Sequence, residues 1–332
     1  ELTGVTVDHF SRGGTAFEIK VGRTKDRSES SSSFPSTFET TQEQLSVSAR
    51  RALTKNLQMR LGYEKLDQSV ETTAYAPNQA TDRETDSYIA SFTGRDGPHI
   101  MQLSVRRDDS NQYDEQTNST FSYGYVLSSG LRLGGSYATG FRAPGFNDLF
   151  FPGFGRSVIK PEESRNLELG AYLDQRSKTN PLGWHGKFVA YRNKVRELIV
   201  FASTCPDPDP QFSFGCADNV NRARLAGVTL SLGKRYRSFG WQIGADFMNP
   251  RDRTLDKLLP RRSRRQLRLA MDYKVGKLRI GSDIRAESER FDDAANTVRL
   301  GGYATVNLSA QLEFAPGWQA YLTVTNATDK DY

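Results

Sequence analysis

The chain alternates apolar and polar residues with a period of two along most of its length. Between Gln266 and Tyr273, the residues Leu267, Leu269, Met271 and Tyr273 alternate with Gln266, Arg268, Ala270 and Asp272. After the turn Val275-Gly276-Lys277, the residues Leu278, Ile280 and Ile284 alternate with Arg279, Asp283 and Arg285. This period puts each set on its own face of a strand. Read along the chain, it predicts about sixteen strands. They lie near 1–10, 14–24, 42–53, 56–68, 84–94, 99–107, 116–127, 131–142, 164–176, 184–200, 221–235, 239–249, 263–274, 277–288, 298–314 and 317–326.

Short connections fall near 11–14, 53–56, 95–98, 128–130, 177–183, 237–239, 275–277 and 315–317. Long ones, near 25–41, 69–83, 108–115, 143–163, 201–220, 250–262 and 289–297, alternate with them. The pattern describes an up-and-down antiparallel meander with two different ends. In outer-membrane barrels the short turns are periplasmic and the long loops extracellular. A soluble sandwich mixes its loop lengths and crosses over; a propeller repeats a motif in blades of four strands, and none is found. The expected fold is all-β, an antiparallel up-and-down transmembrane β-barrel.

Composition supports this reading. The chain has 332 residues, only 36% of them hydrophobic, and a mean hydropathy of −0.62. A soluble chain so polar would be suspected of disorder, but a barrel with a lipid face and a wet lumen accommodates it. No stretch approaches the roughly 20 apolar residues of a membrane helix. The lipid-facing parity is carried by Leu45, Val47 and Ala49; Met101, Leu103 and Val105; Leu167, Leu169, Ala171 and Leu173; Val228, Leu230 and Leu232; Trp241, Ile243, Ala245 and Phe247; and Val306, Leu308, Ala310 and Leu312. Trp184, Trp241 and Trp318 follow short turns, where a periplasmic aromatic girdle would lie. Capping of the hairpins by these indoles is the alternative.

The net charge of +6 is spread over the strands and suits a phosphate-rich lipid surface better than nucleic acid, whose recognition signatures are absent. The densest basic run, Arg261, Arg262, Arg264 and Arg265, fits a rim meeting lipopolysaccharide phosphates or a lumen ladder. Cys205 and Cys216 share one Pro-rich loop; an extracellular disulfide is favoured over a metal site, since no His lies nearby. The loop acids Asp82, Asp86, Asp108, Asp109 and Asp114 are the candidates for calcium, although a spaced Asp/Asn-Gly ligand loop is missing. The aromatic loop residues Phe150, Phe151, Phe154, Phe212 and Phe214 either contact a large ligand or fold onto one another. His9, His99 and His185 all lie near short turns, the wrong end for a rim protease or lipase, and no nucleophile–base spacing points to an enzyme.

Five segments then resemble one family in its order and spacing. They are Ser136-Tyr-Ala-Thr-Gly-Phe141-Arg142-Ala143-Pro144-Gly-Phe-Asn-Asp-Leu-Phe150; Ile159-Lys-Pro161-Glu162-Glu-Ser-Arg-Asn-Leu-Glu-Leu-Gly170; Tyr191-Arg-Asn-Lys-Val-Arg-Glu-Leu-Ile199; Asn219-Val-Asn-Arg-Ala-Arg224-Leu-Ala-Gly227-Val-Thr-Leu230; and Val324-Thr-Asn-Ala-Thr-Asp-Lys-Asp-Tyr332. Together they resemble the TonB-dependent outer-membrane receptors, over roughly residues 130–332. Within that family the vitamin B12 receptors look most similar, with Leu258-Leu-Pro-Arg-Arg262 adding to the likeness.

The resemblance implies a barrel of about 22 strands with an N-terminal plug. Residues 1–332 would then be a partial barrel domain lacking the plug, the TonB box, the first strands and the last strand. It implies TonB-dependent import of cobalamin, with a ferric siderophore as the alternative ligand, TonB as a partner through the N-terminal part, and no resident cofactor beyond loop calcium. Pro144 is expected to end strand pairing. A passive porin is the reading from another class, and the five segments argue against it.

Overall fold

In a computed structural model of the protein, residues 1–31, 35–76, 79, 81–128, 130–176, 182–206, 210–213 and 215–331 are described. The strands are β1 (Leu2–Phe10), β2 (Thr15–Ser30), β3 (Ser36–Thr54), β4 (Leu57–Thr72), β5 (Asp82–Asp96), β6 (His99–Ser110), β7 (Gln116–Ser128) and β8 (Leu131–Arg142). A one-turn helix, α1 (Phe146–Phe150), precedes β9 (Glu162–Asp174) and β10 (His185–Ala202). Then come β11 (Cys216–Tyr236), β12 (Phe239–Asp252), β13 (Arg265–Val275), β14 (Leu278–Glu287), β15 (Arg290–Phe291), β16 (Arg299–Leu300), β17 (Tyr303–Ala315) and β18 (Trp318–Val324). Sixteen strands form one sheet in chain order, β1 through β14 and then β17 and β18; β15 and β16 pair only with each other. The all-β meander expected from the period of two is therefore present.

The chain divides into two compact units. The first comprises Glu1–Tyr123, Ser136–Arg165 and Val195–Arg222. Its ladder aligns Ile19 with Val47 and Val47 with Tyr63. Leu45 and Val47 are 37% and 38% exposed, whereas their neighbours Ser46 and Ser48 are 8% and 7% exposed. This reverses the order of a soluble sheet: large apolar side chains face outward and small polar ones face inward, as lipid outside and water inside require. On the inner face Arg106 joins Glu64, Asp108 and Ser87 at 2.6, 2.7 and 2.8 Å.

The second unit comprises Gly124–Gly135, Asn166–Lys194 and Ala223–Tyr332. One row of its outward face runs Ile243, Leu269, Ile284 and Val306 across β12, β13, β14 and β17, each opposite the next. The adjacent inward row runs Gly244, Arg268, Arg285 and Thr305, with no large apolar side chain in it. The hairpin turn at Gly276 has φ +56°, a left-handed conformation that glycine adopts without cost. Trp184 and Trp241 stack edge to face at 5.9 Å, and Lys234 sits 4.5 Å from the Trp184 ring. Trp318 is 67% exposed. These indoles mark the short-turn boundary, where amphipathic rings meet an interface.

Several expected boundaries are corrected. Strands β2 and β3 extend to Ser30 and begin at Ser36, so 31–35 connects them in place of the expected loop 25–41. The added ladder is polar, with Lys25 and Glu39 paired at 2.6 Å, and gives no apolar alternation to read. Backbone hydrogen bonds do not need that alternation, only an extended chain. β11 likewise begins at Cys216, and β17 begins at Tyr303 because the preceding residues form the β15–β16 hairpin. With these ends, the connections 31–35 and 111–115 are shorter than 175–184, which lies on the opposite side of the meander. The up-and-down order survives, and so does the alternation, since each short connection remains shorter than the one before and the one after it.

Candidate functional site

The densest loop structure lies in the first unit and is built on the segment 143–161. Pro144 is buried and follows the end of β8 at Arg142, so the ladder stops where its missing N–H would be needed. Helix α1 starts at once; the Gly145 N–H donates to Asp148 Oδ2 at 2.8 Å, the return half of a capping box. Leu149 on that helix packs with Ile159 and Ala217, and Phe150, Phe154 and Ile199 close over them.

Polar staples hold this segment to the strands. Arg142 Nη1 donates to Glu162 Oε1 at 2.5 Å, and the Ile199 N–H donates to the same oxygen at 3.0 Å. The Asn219 amide donates to the carbonyls of Lys160 and Glu197 at 3.1 and 2.7 Å, while its oxygen accepts the Lys160 N–H at 2.9 Å. Glu197 has φ +53°, an unusual conformation for a side-chain-bearing residue. Asn219 therefore satisfies backbone that the ladder leaves unpaired there. Arg156 pairs with Asp218 at 2.9 Å. Phe141 packs on Tyr113 at 4.8 Å.

Arg83, at the loop end of β5, is 7% exposed. It donates to Gln112 Oε1 at 2.5 Å and to the Pro144 carbonyl at 2.6 Å, and lies 4.9 Å from the Phe146 ring. Burial lowers its pKa from the ordinary guanidinium value, an unfavourable contribution that these acceptors and the ring face offset. Tyr75 donates to Asn147 Oδ1 at 2.6 Å, and burial, with Asp148 nearby, pushes its phenol up to about 12. Its ring contacts Phe38 and Phe150 at 5.8 and 6.0 Å, and Phe38 stacks on Phe151 at 6.1 Å. Phe154 stacks on Phe201 at 6.3 Å.

Three of the five expected aromatic contacts, Phe150, Phe151 and Phe154, thus pack the segment onto its support. Phe212 sits in a 3-10 turn, Pro210–Phe212, and is half-buried there; Phe214 lies outside the described residues. Cys205 and Cys216 are joined by a disulfide, with Cys216 fully buried at the start of β11. Of the acids considered for calcium, Asp108 accepts from Ser87 and Arg106, and Asp86 accepts from Tyr63. No group of three or more metal-ligating side chains occurs among the described residues.

Beside the packed segment is an open cleft of about 680 Å³, walled by Tyr113, Pro144, Leu149, Phe150, Lys160 and Arg196. Its apolar wall is preformed, and three carboxylates, Asp114, Glu163 and Glu197, stand against its two cations. Such a surface can hold a bulky ligand by a flat apolar face and many hydrogen-bonding edges. Arg83, Tyr75, Lys160 and Arg196 were not singled out from the sequence. Arg83 reaches Pro144 across 61 positions, a separation no local pattern reports. Arg224 and Gly227 belong to the other unit: Arg224 Nε has no hydrogen-bond partner, and Gly227 lies against the Phe247 carbonyl and the Tyr191 phenol.

Comparison with known proteins gives a consistent family. The family described as "TonB dependent receptor-like, beta-barrel" matches residues 4–327. The "Vitamin B12 transporter BtuB" of Photobacterium profundum is 29% identical over 84% of this chain and 45% of its own length. The protein of the same name from Vibrio vulnificus is 25% identical over 75% of this chain and 39% of its own. The chain thus spans less than half of each of these relatives. Among solved structures, "Copper transporter OprC" superimposes with a TM-score of 0.78 at 14% identity, covering 100% of this chain and 61% of that one. The ferric enterobactin receptor PfeA from Pseudomonas aeruginosa superimposes at 0.75 and 15%, covering 99% and 57%. At those identities the structures establish the fold alone.

Proposed function

This chain belongs to the TonB-dependent receptor-like β-barrel family, and on that premise we propose that it is the barrel part of a receptor that takes up cobalamin. The family is one of outer-membrane transport receptors, and the sheet's outward apolar rows fit that location. The observation that carries the ligand is the 29% identity to a vitamin B12 transporter over 84% of the chain.

The cleft supports the same choice on chemical grounds. Cobalamin is a large, flat, amide-rich molecule without net anionic charge in its cyano form. The apolar wall of Leu149 and Phe150 suits a flat ring, and the mixed charges around it suit amides. The alternative ligand, a ferric siderophore, is favoured by Lys160 and Arg196 where the chelate is anionic, but three carboxylates oppose it. In the proposed cycle the loops capture ligand, and TonB, engaging the N-terminal part of the receptor, opens the path through the barrel.

Calorimetry on the full-length receptor tests the ligand. Tight binding of cyanocobalamin, weakened by Lys160→Ala or Phe150→Ala, is expected. Absence of cobalamin binding together with tight binding of a ferric siderophore would reverse the assignment.

A further inference from the structure

Among the described residues that carry a side chain and have positive φ, all but Glu197 lie in turns or loops. Glu197, at φ +53°, lies inside strand β10. A left-handed residue there is costly for an L-amino acid and persists only where its surroundings over-determine it. Two side chains do so. The Glu197 carbonyl accepts from the Asn219 amide at 2.7 Å, and two residues on the Ile199 N–H donates to Glu162 Oε1 at 3.0 Å. The same Asn219 side chain accepts from the Lys160 N–H at 2.9 Å and donates to the Lys160 carbonyl at 3.1 Å. One amide therefore fixes the backbone of Glu197 relative to that of Lys160.

The kink decides which side chains reach the cleft. Consecutive residues of a regular strand face opposite sides, yet Arg196 and Glu197 both wall the cleft, as Lys160 does. The buried positions change parity at the same point: Val195 and Leu198, three apart, are each 6% exposed. Among the described residues Lys160, Arg196 and Glu197 form no ion pair. Two cations and a carboxylate thus stand on one surface without neutralising each other, and all three stay available to a ligand.

We propose that the left-handed backbone at Glu197 is a specificity-determining element of the cleft and that Asn219 is its positioning residue. The kink turns a carboxylate and a guanidinium toward the same ligand. A neutral group with both donors and acceptors, such as an amide, is met by both, whereas an anion is opposed by the carboxylate. The inference rests on the cleft being the ligand site proposed above.

The test is calorimetry of cyanocobalamin and of a ferric siderophore on the full-length receptor, with heat-modifiable electrophoretic migration reporting the folded fraction. Glu197→Gln and Glu197→Val both remove the carboxylate, but only valine, branched at Cβ, resists a positive φ. Valine should weaken the ligand that the wild type binds about tenfold more than glutamine does. Asn219→Ala should weaken it by a similar factor and speed hydrogen exchange at the Lys160 amide. That variant carries the test should valine prevent assembly. Equal affinities for the glutamine and valine variants, or wild-type affinity in Asn219→Ala, would overturn the inference. A merely structural role changes the yield of folded receptor and leaves the affinity of the folded fraction alone. A wild type that binds only the siderophore, with the valine–glutamine difference intact for that chelate, overturns the cobalamin reading and upholds this one. Cobalamin binding without that difference does the reverse, and a wild type that binds neither ligand overturns both.

Discussion

Glu162 on β9 holds the Arg142 guanidinium and the Ile199 N–H on a single carboxylate oxygen. One side chain therefore ties the end of β8 to β10 beneath the loop segment that walls the cleft. The Glu162 side chain is only 13% exposed, while that of Arg142 is 55% exposed, so the carboxylate suffers most if the pair is broken.

Glu162→Gln keeps an acceptor but loses the charge, and Glu162→Ala leaves the Ile199 N–H without its partner. We expect a loss of about 1–3 kcal/mol for the alanine variant and less for glutamine. A double-mutant cycle with Arg142→Ala, read by urea unfolding in detergent, should give a coupling clearly above zero. Strict additivity would show that the two groups do not act together.

Tyr75 carries a pH signature. Its phenol is raised to about 12 in the folded protein, above its ordinary value near 10. The neutral form is thus favoured by folding, and its stabilising contribution is complete below pH 10 and disappears as pH rises through 12. Phenolate absorbance titration should lose one late-titrating tyrosine in Tyr75→Phe relative to the wild type. A wild-type curve superimposable on that of the variant would contradict the burial.

The disulfide between Cys205 and Cys216 closes a short loop onto β11. Restricting that loop in the unfolded chain is worth about 3 kcal/mol in the loop-entropy account. Cys205→Ser/Cys216→Ser should unfold at lower urea concentration by that order, and reductant should affect the wild type alone. Proteolysis near Pro210–Phe212 should rise in parallel.

Gly227 is a backbone position that cannot accept a side chain without movement of the ladder. A Cβ there would be driven into the Phe247 carbonyl on the paired strand and the Tyr191 phenol. The carbonyl is fixed by the ladder, so Gly227→Ala should block assembly, leaving little heat-modifiable protein in the membrane. Gly276→Ala, at a turn with open space around it, should assemble with a small loss from its φ of +56°.

The motif segments were readable as a family signature before their work was visible. Phe141, Arg142, Pro144, Glu162 and Asn219 turn out to be staples of the loop end, each satisfying a ring contact, a charge or an orphaned backbone group. Phe150, Phe151 and Phe154 were legible as loop aromatics, yet the sequence left open whether they meet a ligand or one another. Tyr75 and Phe38 answer part of that question by packing against Phe150 and Phe151. Nothing local could reveal Arg83 as the residue that anchors Pro144, because that contact depends on two distant loops meeting at one end of the sheet.

The amino-acid sequence by itself determined the all-β meander, the outward and inward parities, and the family. A period of two and an ordered set of motifs are one-dimensional properties, and strands inherit them directly. Where the strands ended was decided by tertiary pairing, since polar residues such as Lys25 and Glu39 join a ladder as readily as apolar ones. The cleft was likewise decided in three dimensions. Lys160 and Arg196 share a surface only because loops fold back and antiparallel register sets distant residues side by side.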